Sequence, residues 1–272
     1  MRKIQSFLSI GFLAMATPLF AGVEMDLVTK DAEGAVTESV KLYAQSGKIR
    51  MEDIGDTSGK EMSMIFVGQE FIVVDHTEQS YIVMDEEMVA ALGAKVNDAM
   101  AQIQAQLADM PEEQRAQIEQ MLAGQMAGMM NESEQAPAAR VEQIGVGTWQ
   151  SAECTQYAVF EDFDKTQEIC AAPLGDIEGA DEVMLAFKNM AKFVNTISES
   201  MPGALGANMA QNPMGLIDQI DGFPVRTIDY LDGSLMSVTT LESVQDMSLD
   251  PGLFAIPEGY TQVDPFAGQK PQ

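Results

Sequence analysis

Strand-like segments lie on both sides of one long helical segment, and this arrangement limits the possible folds more than any other feature of the sequence. Residues 85–130 are rich in Ala, Gln and Met and contain no strand pattern. Before and after them, apolar and polar residues alternate in short runs, as at Val23, Met25 and Leu27, which is typical of half-buried strands. Strands in runs with helices in separate blocks predict an α+β domain.

The short strands predict one curled antiparallel sheet that resembles half of a barrel. About eleven strand segments follow one another through tight turns, which favours an antiparallel meander. Ser46–Gly47 and Asp232–Gly233 are two-residue turns of the kind that closes hairpins. A sheet of this size must curl or be covered on one face. We expect the helical insert at 85–130 and a second helix at 180–199 to provide the only cover.

The helical insert carries its own start and stop signals. Asp85 can cap a helix, and Pro111 suits a first helical position but not an interior one, so we predict two helices at about 86–109 and 111–130. Apolar residues recur along both of them, and along 180–199, at steps of three and four. We expect the following side chains to face an apolar ligand: Met88, Leu92, Val96, Met100, Ile103, Leu107, Met121, Met126, Phe187, Met190 and Val194.

Two interpretations of the Met-rich stripe stay open. Such a stripe is most often a core face. The sharper alternative is a movable apolar lid, because methionine is flexible and suits surfaces that repack around varied partners.

The N-terminal segment up to Ala21 has the pattern of a signal peptide. Arg2 and Lys3 precede the mostly apolar stretch Ile4–Phe20, and Ala21 offers a small residue for cleavage. No later segment has the length and apolarity of a transmembrane helix. We therefore predict an exported protein of the periplasm.

The rest of the chain is predicted to form one domain over 22–264. A polar linker at 131–139 follows the helical insert, and 265–272 is expected to be a disordered tail. The formal net charge of −27 at pH 7 repels nucleic acid, which excludes a nucleic-acid-binding protein. No pattern in the sequence fixes the oligomeric state.

The two cysteines are the most specific local signal. Cys154 and Cys170 are symmetric about residue 162, the middle of a predicted hairpin turn, so we expect them to face each other on neighbouring strands. In an exported protein this placement predicts a structural disulfide. A closed loop of about 15 residues contributes roughly 3 kcal/mol in the loop-entropy model. A redox pair is the alternative, but the sequence has no Cys-x-x-Cys motif.

No motif in the sequence indicates catalysis, a cofactor or a metal site. His76, the single histidine, lies in a polar turn and is expected to be solvated. There is no Gly-x-Ser-x-Gly elbow, no phosphate-binding loop and no ligand spacing for a metal. We therefore predict that the protein is not an enzyme. Methionine thioethers are soft ligands, so a copper(I) chaperone is a less favoured alternative. Its ligands would be drawn from Met62, Met64, Met121, Met126, Met129 and Met130.

Several short segments resemble a known family. They are Gly47–Lys48–Ile49–Arg50–Met51, Phe71–Ile72–Val73–Val74–Asp75, Gln79–Ser80–Tyr81, Cys154–Thr155–Gln156–Tyr157, Leu249–Asp250–Pro251–Gly252–Leu253–Phe254 and Ile256–Pro257–Glu258–Gly259–Tyr260. These segments resemble exported bacterial proteins of domain-of-unknown-function family 4412. That family is similar in outline to the lipoprotein-localisation factors (LolA and LolB). The resemblance implies a curved half-barrel, closed by helices, with a cavity for acyl chains, and it implies no catalytic residue.

These observations lead to one first hypothesis for function and two alternatives. The first is a non-enzymatic periplasmic protein that binds a lipid, an acyl chain or a lipoprotein between sheet and helices. The alternative is a structural or interaction protein of the cell envelope whose own side chains fill the groove. The copper(I) chaperone is the third.

Overall fold

The computed structural model describes residues 22–52, 61–108, 139–150, 152–200 and 219–264, apart from some side chains in the two helices. The α+β class is confirmed, since these residues form one curled, unclosed sheet and two helices. The strands are β1 Gly22–Asp31, β2 Val36–Gln45, β3 Lys48–Glu52, β4 Met62–Val67, β5 Glu70–Asp75, β6 Ser80–Met84, β7 Arg140–Trp149, β8 Ala152–Glu161, β9 Asp164–Ala172, β10 Phe223–Leu231, β11 Ser234–Met247 and β12 Thr261–Gln262. The helices are α1 Glu86–Ala108 and α2 Ala180–Ser200, with 3-10 turns at Leu174–Asp176 and Pro251–Phe254.

Two meanders build the sheet. Its strand order is β12-β6-β5-β4-β3-β2-β1-β11-β10-β9-β8-β7, so β1 and β11 join an N-terminal meander to a C-terminal one. All pairs are antiparallel except that of β12 with β6. The eleven predicted strands are present, and the two-residue β12 is an addition that the sequence pattern did not predict.

The predicted turns have the backbone that their residues favour. Ser46 and Gly47 have φ of 54° and 75°, and Asp232 and Gly233 have φ of 51° and 74°. Positive φ at both positions matches the right-handed twist of the flanking strands. The hairpin of β8 and β9 closes through a two-residue turn at Asp162 and Phe163.

Helix α2 covers one face of the sheet. Its buried side chains interlock with strands β1 to β4, and the rings of Phe193 and Phe66 lie 5.9 Å apart. Each large apolar side chain buried in this way stabilises the fold by about 1.5–3 kcal/mol. The buried positions on α2 are Ala180, Val183, Met184, Ala186, Met190, Phe193 and Ile197.

The prediction that helices alone cover the sheet is wrong, because the C-terminal segment covers the opposite face of β3 to β6. Leu249 and Phe254 are 5% exposed and pack on Ile65, Ile72 and Val74. Asp250 accepts a hydrogen bond from the Gly252 N–H (2.8 Å), and Pro251 opens the 3-10 turn that carries Phe254 to the sheet. The sequence pattern missed this cover since so short a segment has no periodicity.

Helix α1 begins where its cap predicts. The Asp85 carboxylate accepts a hydrogen bond from the Met88 N–H at 2.8 Å. The predicted signal peptide, the second insert helix at 111–130, most of the linker at 131–139 and the tail at 265–272 lie outside the described residues. Among the described helices, none combines the length and the apolar character that crossing a membrane requires.

Candidate functional site

An apolar cavity lies between α2 and strands β1, β2, β10 and β11. Its volume is about 210 Å³. Its floor consists of buried side chains, and half-buried side chains form its mouth. The floor is formed by Leu42, Met184, Phe223, Val225 and Leu241, and the mouth by Leu27, Phe187, Thr227 and Thr239, while Pro224 and Arg226 complete the lining.

Two irregularities in strand pairing lie beside this cavity. Leu27 pairs with Leu241 across β1 and β11, directly after a shift of register at Asp26. A second shift lies between Pro224 and Arg226, where β10 pairs with β9. Bulges of this kind bend a strand and increase its twist. The sheet therefore curls at the place where α2 lies against it.

Arg226 is the one charged residue among those that line the cavity, but it is directly opposite Thr240 on β11, so its side chain is on the sheet face away from α2. It is half-buried, and within the described part of the chain its guanidinium makes no hydrogen bond or ion pair. The other described arginines are both paired: Arg50 with Glu52, and Arg140 with Glu142.

The structure brings one of the predicted ligand-facing residues to this cavity. Phe187 lines the mouth, whereas Met190 is only 5% exposed and lies in the core beneath α2. Val194 is half-buried on the same helix and does not line the cavity.

The predicted stripe on α1 is described only at its start. Met88 is half-buried and lines a separate cavity beside β12, while Val89, which the predicted stripe did not include, is 8% exposed and packs with the core. The side chains of Leu92, Val96, Met100, Ile103 and Leu107, and residues Met121 and Met126, lie outside the part of the chain that the structure describes.

Sequence reasoning missed most of the cavity lining. Strand alternation marks Leu27 and Leu42 as inward-facing, so a signal for these two was present. Met184 lies three residues before Phe187 on α2, and the predicted set of ligand-facing residues did not include it. The positions of Val225 and Leu241 in the cavity wall depend on the two β-bulges, and no pattern of residues in the sequence predicts where a bulge forms.

A second cavity of about 380 Å³ lies where α1, α2 and the turn between β4 and β5 meet. Val89, Phe193 and Ile197 form its apolar part. Glu86, Lys192, Asn189, Gln69 and Thr196 make the rest of the wall polar. This mixed lining fits an apolar chain less well than the cavity beside Phe187.

A charged network lies on the sheet face away from α2. The Lys41 ammonium donates to Glu24 (3.0 Å) and Asp26 (2.8 Å), and the Ser243 hydroxyl donates to Asp26 at 2.6 Å. The hydrogen bond from Lys41, and then that from Ser243, lower the pKa of Asp26, while the hydrogen bonds to Asp26 and then to Glu24 raise the pKa of Lys41. This network ties β1, β2 and β11 together.

The expectation of a solvated His76 is wrong. Its Nε2 lies 2.9 Å from the Ser63 hydroxyl and its Nδ1 lies 2.9 Å from the Tyr260 hydroxyl. Since Ser63 is only 1% exposed, its hydroxyl is closed to a substrate. The histidine therefore links the C-terminal segment to β4 and β5.

The predicted disulfide between Cys154 and Cys170 is confirmed, with a Cα–Cα distance of 5.5 Å. The two residues are not directly opposite each other, because Cys170 pairs with Gln156. The predicted register about residue 162 is off by two residues on β8, because the turn is centred between Asp162 and Phe163 and the register shifts again between Val159 and Phe160. The diagonal position on adjacent strands still brings the two sulfurs together.

Comparisons with known proteins show only a weak similarity in the path of the backbone. No family model matches, and no curated protein matches. An uncharacterized conserved protein from Thermus thermophilus is 7% identical with a TM-score of 0.42, over 90% of this chain and 91% of that one. A structure of PNGF-II is 11% identical with a TM-score of 0.38, over 90% of this chain but 31% of that one. A LolA superfamily protein from Nitrosomonas europaea is 8% identical with a TM-score of 0.27, over 88% of this chain and 91% of that one.

These identities and TM-scores carry no conclusion about family, ligand or activity. Membership of family 4412 stays a prediction.

Proposed function

We propose that this protein is a non-enzymatic periplasmic binding protein that holds an apolar chain between α2 and the curled sheet. The observation that carries the proposal is the cavity beside Phe187. Buried apolar side chains form its floor, and its mouth is partly open to solvent. Concave sites with an apolar lining and a few polar groups are the usual form of small-molecule sites.

The size of the cavity limits what it takes. At about 210 Å³ it is smaller than the ~300 Å³ at which small-molecule sites usually begin. A single short chain, or the end of a longer one, is therefore the ligand that fits, rather than the several chains of a whole lipoprotein anchor.

Export to the periplasm is part of the proposal. The N-terminal pattern up to Ala21 predicts secretion, and a disulfide between Cys154 and Cys170 persists in an oxidising compartment. The absence of a nucleophile and base signature in the sequence supports a role without catalysis.

An envelope protein with a self-filled core is the second candidate. The observation that favours it is the tight packing of α2, where Val183 and Ala186 have no exposed surface. The copper(I) chaperone rests mainly on methionines at 121–130, which lie outside the described residues.

A substitution that fills the cavity separates the first two candidates. Thr227 is half-buried at the mouth, so Thr227→Phe places a ring in the space that a chain would occupy. The matched control is Thr155→Phe, at a half-buried strand threonine that does not line the cavity. We expect 1-octanol, titrated calorimetrically, to bind the wild type and Thr155→Phe, and to bind Thr227→Phe at least tenfold more weakly.

Two results contradict the binding proposal. One is the absence of any heat of binding with the folded wild type. The other is equal affinity of 1-octanol for the wild type and Thr227→Phe. Either result leaves the self-filled core as the better account.

A further inference from the structure

The second cavity, where α1, α2 and the turn between β4 and β5 meet, differs in chemistry from the cavity beside Phe187. We infer that it binds a short apolar peptide with both ends free, whose ammonium group contacts Glu86 and whose carboxylate contacts Lys192. The inference goes beyond the proposed function, because it concerns a separate cavity and a ligand of another class.

The cavity has an apolar floor of fixed shape. Val89 of α1 and Phe193 and Ile197 of α2 line it, and all three are buried in the core between the helices and the sheet. The volume of about 380 Å³ exceeds the ~300 Å³ at which small-molecule sites usually begin. An apolar side chain of a ligand therefore has both a surface to contact and room to occupy.

The charged residues of the wall lie on the same helix faces as this floor. The lining residues of α2 recur at steps of three and four, which return to one side of a helix: Asn189, Lys192, Phe193, Thr196 and Ile197. On α1, Glu86 precedes the buried Val89 by three residues, which again is one side. The side chains of Lys192 and Glu86 therefore leave their helices on the side of the cavity.

The protein itself neutralises neither charge. Within the part of the chain that the structure describes, no hydrogen bond or ion pair involves the Glu86 carboxylate or the Lys192 ammonium. Lys41 and Lys165, in contrast, both have carboxylate partners. Glu86 and Lys192 are exposed, so water solvates them in the free protein. A ligand that replaces this water must offer the opposite charge to each of them.

Two opposite charges on separate helices select a ligand with an ionic group at each end. The Glu86 carboxylate accepts hydrogen bonds from an ammonium group, and the Lys192 ammonium donates them to a carboxylate. In a single amino acid both groups share one carbon, whereas a peptide bond between them lets each end reach its own helix. Gln69 and Asn189 add side-chain amides to the wall, which can donate to and accept from that peptide group.

The test combines matched ligands with matched variants. L-leucyl-L-leucine, its N-acetyl derivative and its C-terminal amide are titrated into the isotope-labelled mature protein, and amide chemical shifts report binding. The titrations use about 0.15 M salt, which screens the field of distant carboxylates. We expect the wild type to bind the free dipeptide, with large shifts at Gly68 and Phe193. Each blocked form should bind roughly threefold or more weakly.

The variants assign each end of the dipeptide to one residue. In Glu86→Gln the loss of affinity on N-acetylation is expected to disappear, and in Lys192→Gln the loss on amidation is expected to disappear. Glu87→Gln and Lys188→Gln are the controls, since both residues are exposed on the same two helices and do not line this cavity. Both controls should keep both losses.

Three results overturn the inference. The first is the absence of binding of L-leucyl-L-leucine to the folded wild type. The second is a loss on N-acetylation or amidation that persists unchanged in Glu86→Gln or Lys192→Gln. The third is an affinity for L-leucine equal to that for the dipeptide. The thermal midpoint of each variant establishes that the compared proteins are folded.

Discussion

Gly222 is a position where the backbone allows no side chain. Its φ is +117°, and a Cβ there would lie 2.4 Å from the carbonyl oxygen of Ala172. We expect Gly222→Ala to lower the free energy of unfolding by about 2 kcal/mol or more, since overpacking adds to backbone strain. Urea unfolding measures this change.

The matched control is Gly34→Ala. Gly34 also has a positive φ, of +85°, but a Cβ there meets nothing within 4 Å. Its substitution should cost only the strain of about 1 kcal/mol. If both variants lose the same free energy of unfolding, the close contact between residue 222 and Ala172 does not contribute to the effect.

Asp26 makes stability depend on pH. Because hydrogen bonds from Lys41 and Ser243 lower its pKa in the folded state, the carboxylate stabilises the protein above the pKa of the unfolded chain. This contribution is lost as the pH falls through the lowered pKa. We expect Asp26→Asn to reduce stability by about 1 kcal/mol at pH 7, a value suited to a partly exposed pair.

The difference between Asp26→Asn and the wild type should shrink as the pH falls below about 4. Denaturant unfolding from pH 7 to pH 2 measures it. The exposed Asp246 provides the control, and Asp246→Asn should leave stability almost unchanged at pH 7. A difference for Asp26→Asn that is constant over the whole range would refute the assignment.

At the scale of elements, the disulfide constrains the hairpin of β8 and β9. It joins residues 16 apart in sequence, and a loop of this size contributes about 3 kcal/mol. We expect a reductant to lower the thermal midpoint of the wild type without abolishing the fold. The double variant Cys154→Ala, Cys170→Ala should melt at the same temperature with and without reductant. If the wild type melts at the same temperature in both conditions, the disulfide does not stabilise the fold.

The C-terminal segment is predicted to be an energetic part of the fold. Phe254 is 5% exposed against the face of β3 to β6, so Phe254→Ala should cost about 3–5 kcal/mol. Phe163, at a hairpin tip, is 95% exposed and gives the control. Phe163→Ala should change stability by less than about 0.5 kcal/mol. If chemical denaturation shows similar small losses for both, the segment does not pack as described.

Much of the element structure follows from sequence. The alternation of apolar and polar residues predicted strands β1 to β11. Asp85 predicted the start of a helix and Asp232–Gly233 predicted a turn. Each of these signals is a local property of a few residues. The shifts at Asp26, Pro224 and Val159 were not predicted, since a bulge depends on the partner strand. The same limit explains why Cys154 and Cys170 were predicted to be directly opposite.

At the scale of the whole molecule, the sequence predicted an apolar site under helices but not its lining. Residues far apart in the chain, such as Leu27, Phe187 and Leu241, meet there only after the sheet curls. Periodicity reports which side of one element is apolar, so it identified Phe187. It does not report which neighbouring elements leave a space between them.

Native mass spectrometry of the mature protein isolated gently from the periplasm tests the central claim most directly. Lipid extraction of the same sample, with Thr227→Phe prepared in parallel, identifies any bound molecule and its location. We predict a one-to-one adduct of a molecule with a single apolar chain on the wild type and a large loss of that adduct in Thr227→Phe. A clean mass without adduct in both proteins, with no apolar molecule in the extract, would contradict a ligand-binding role.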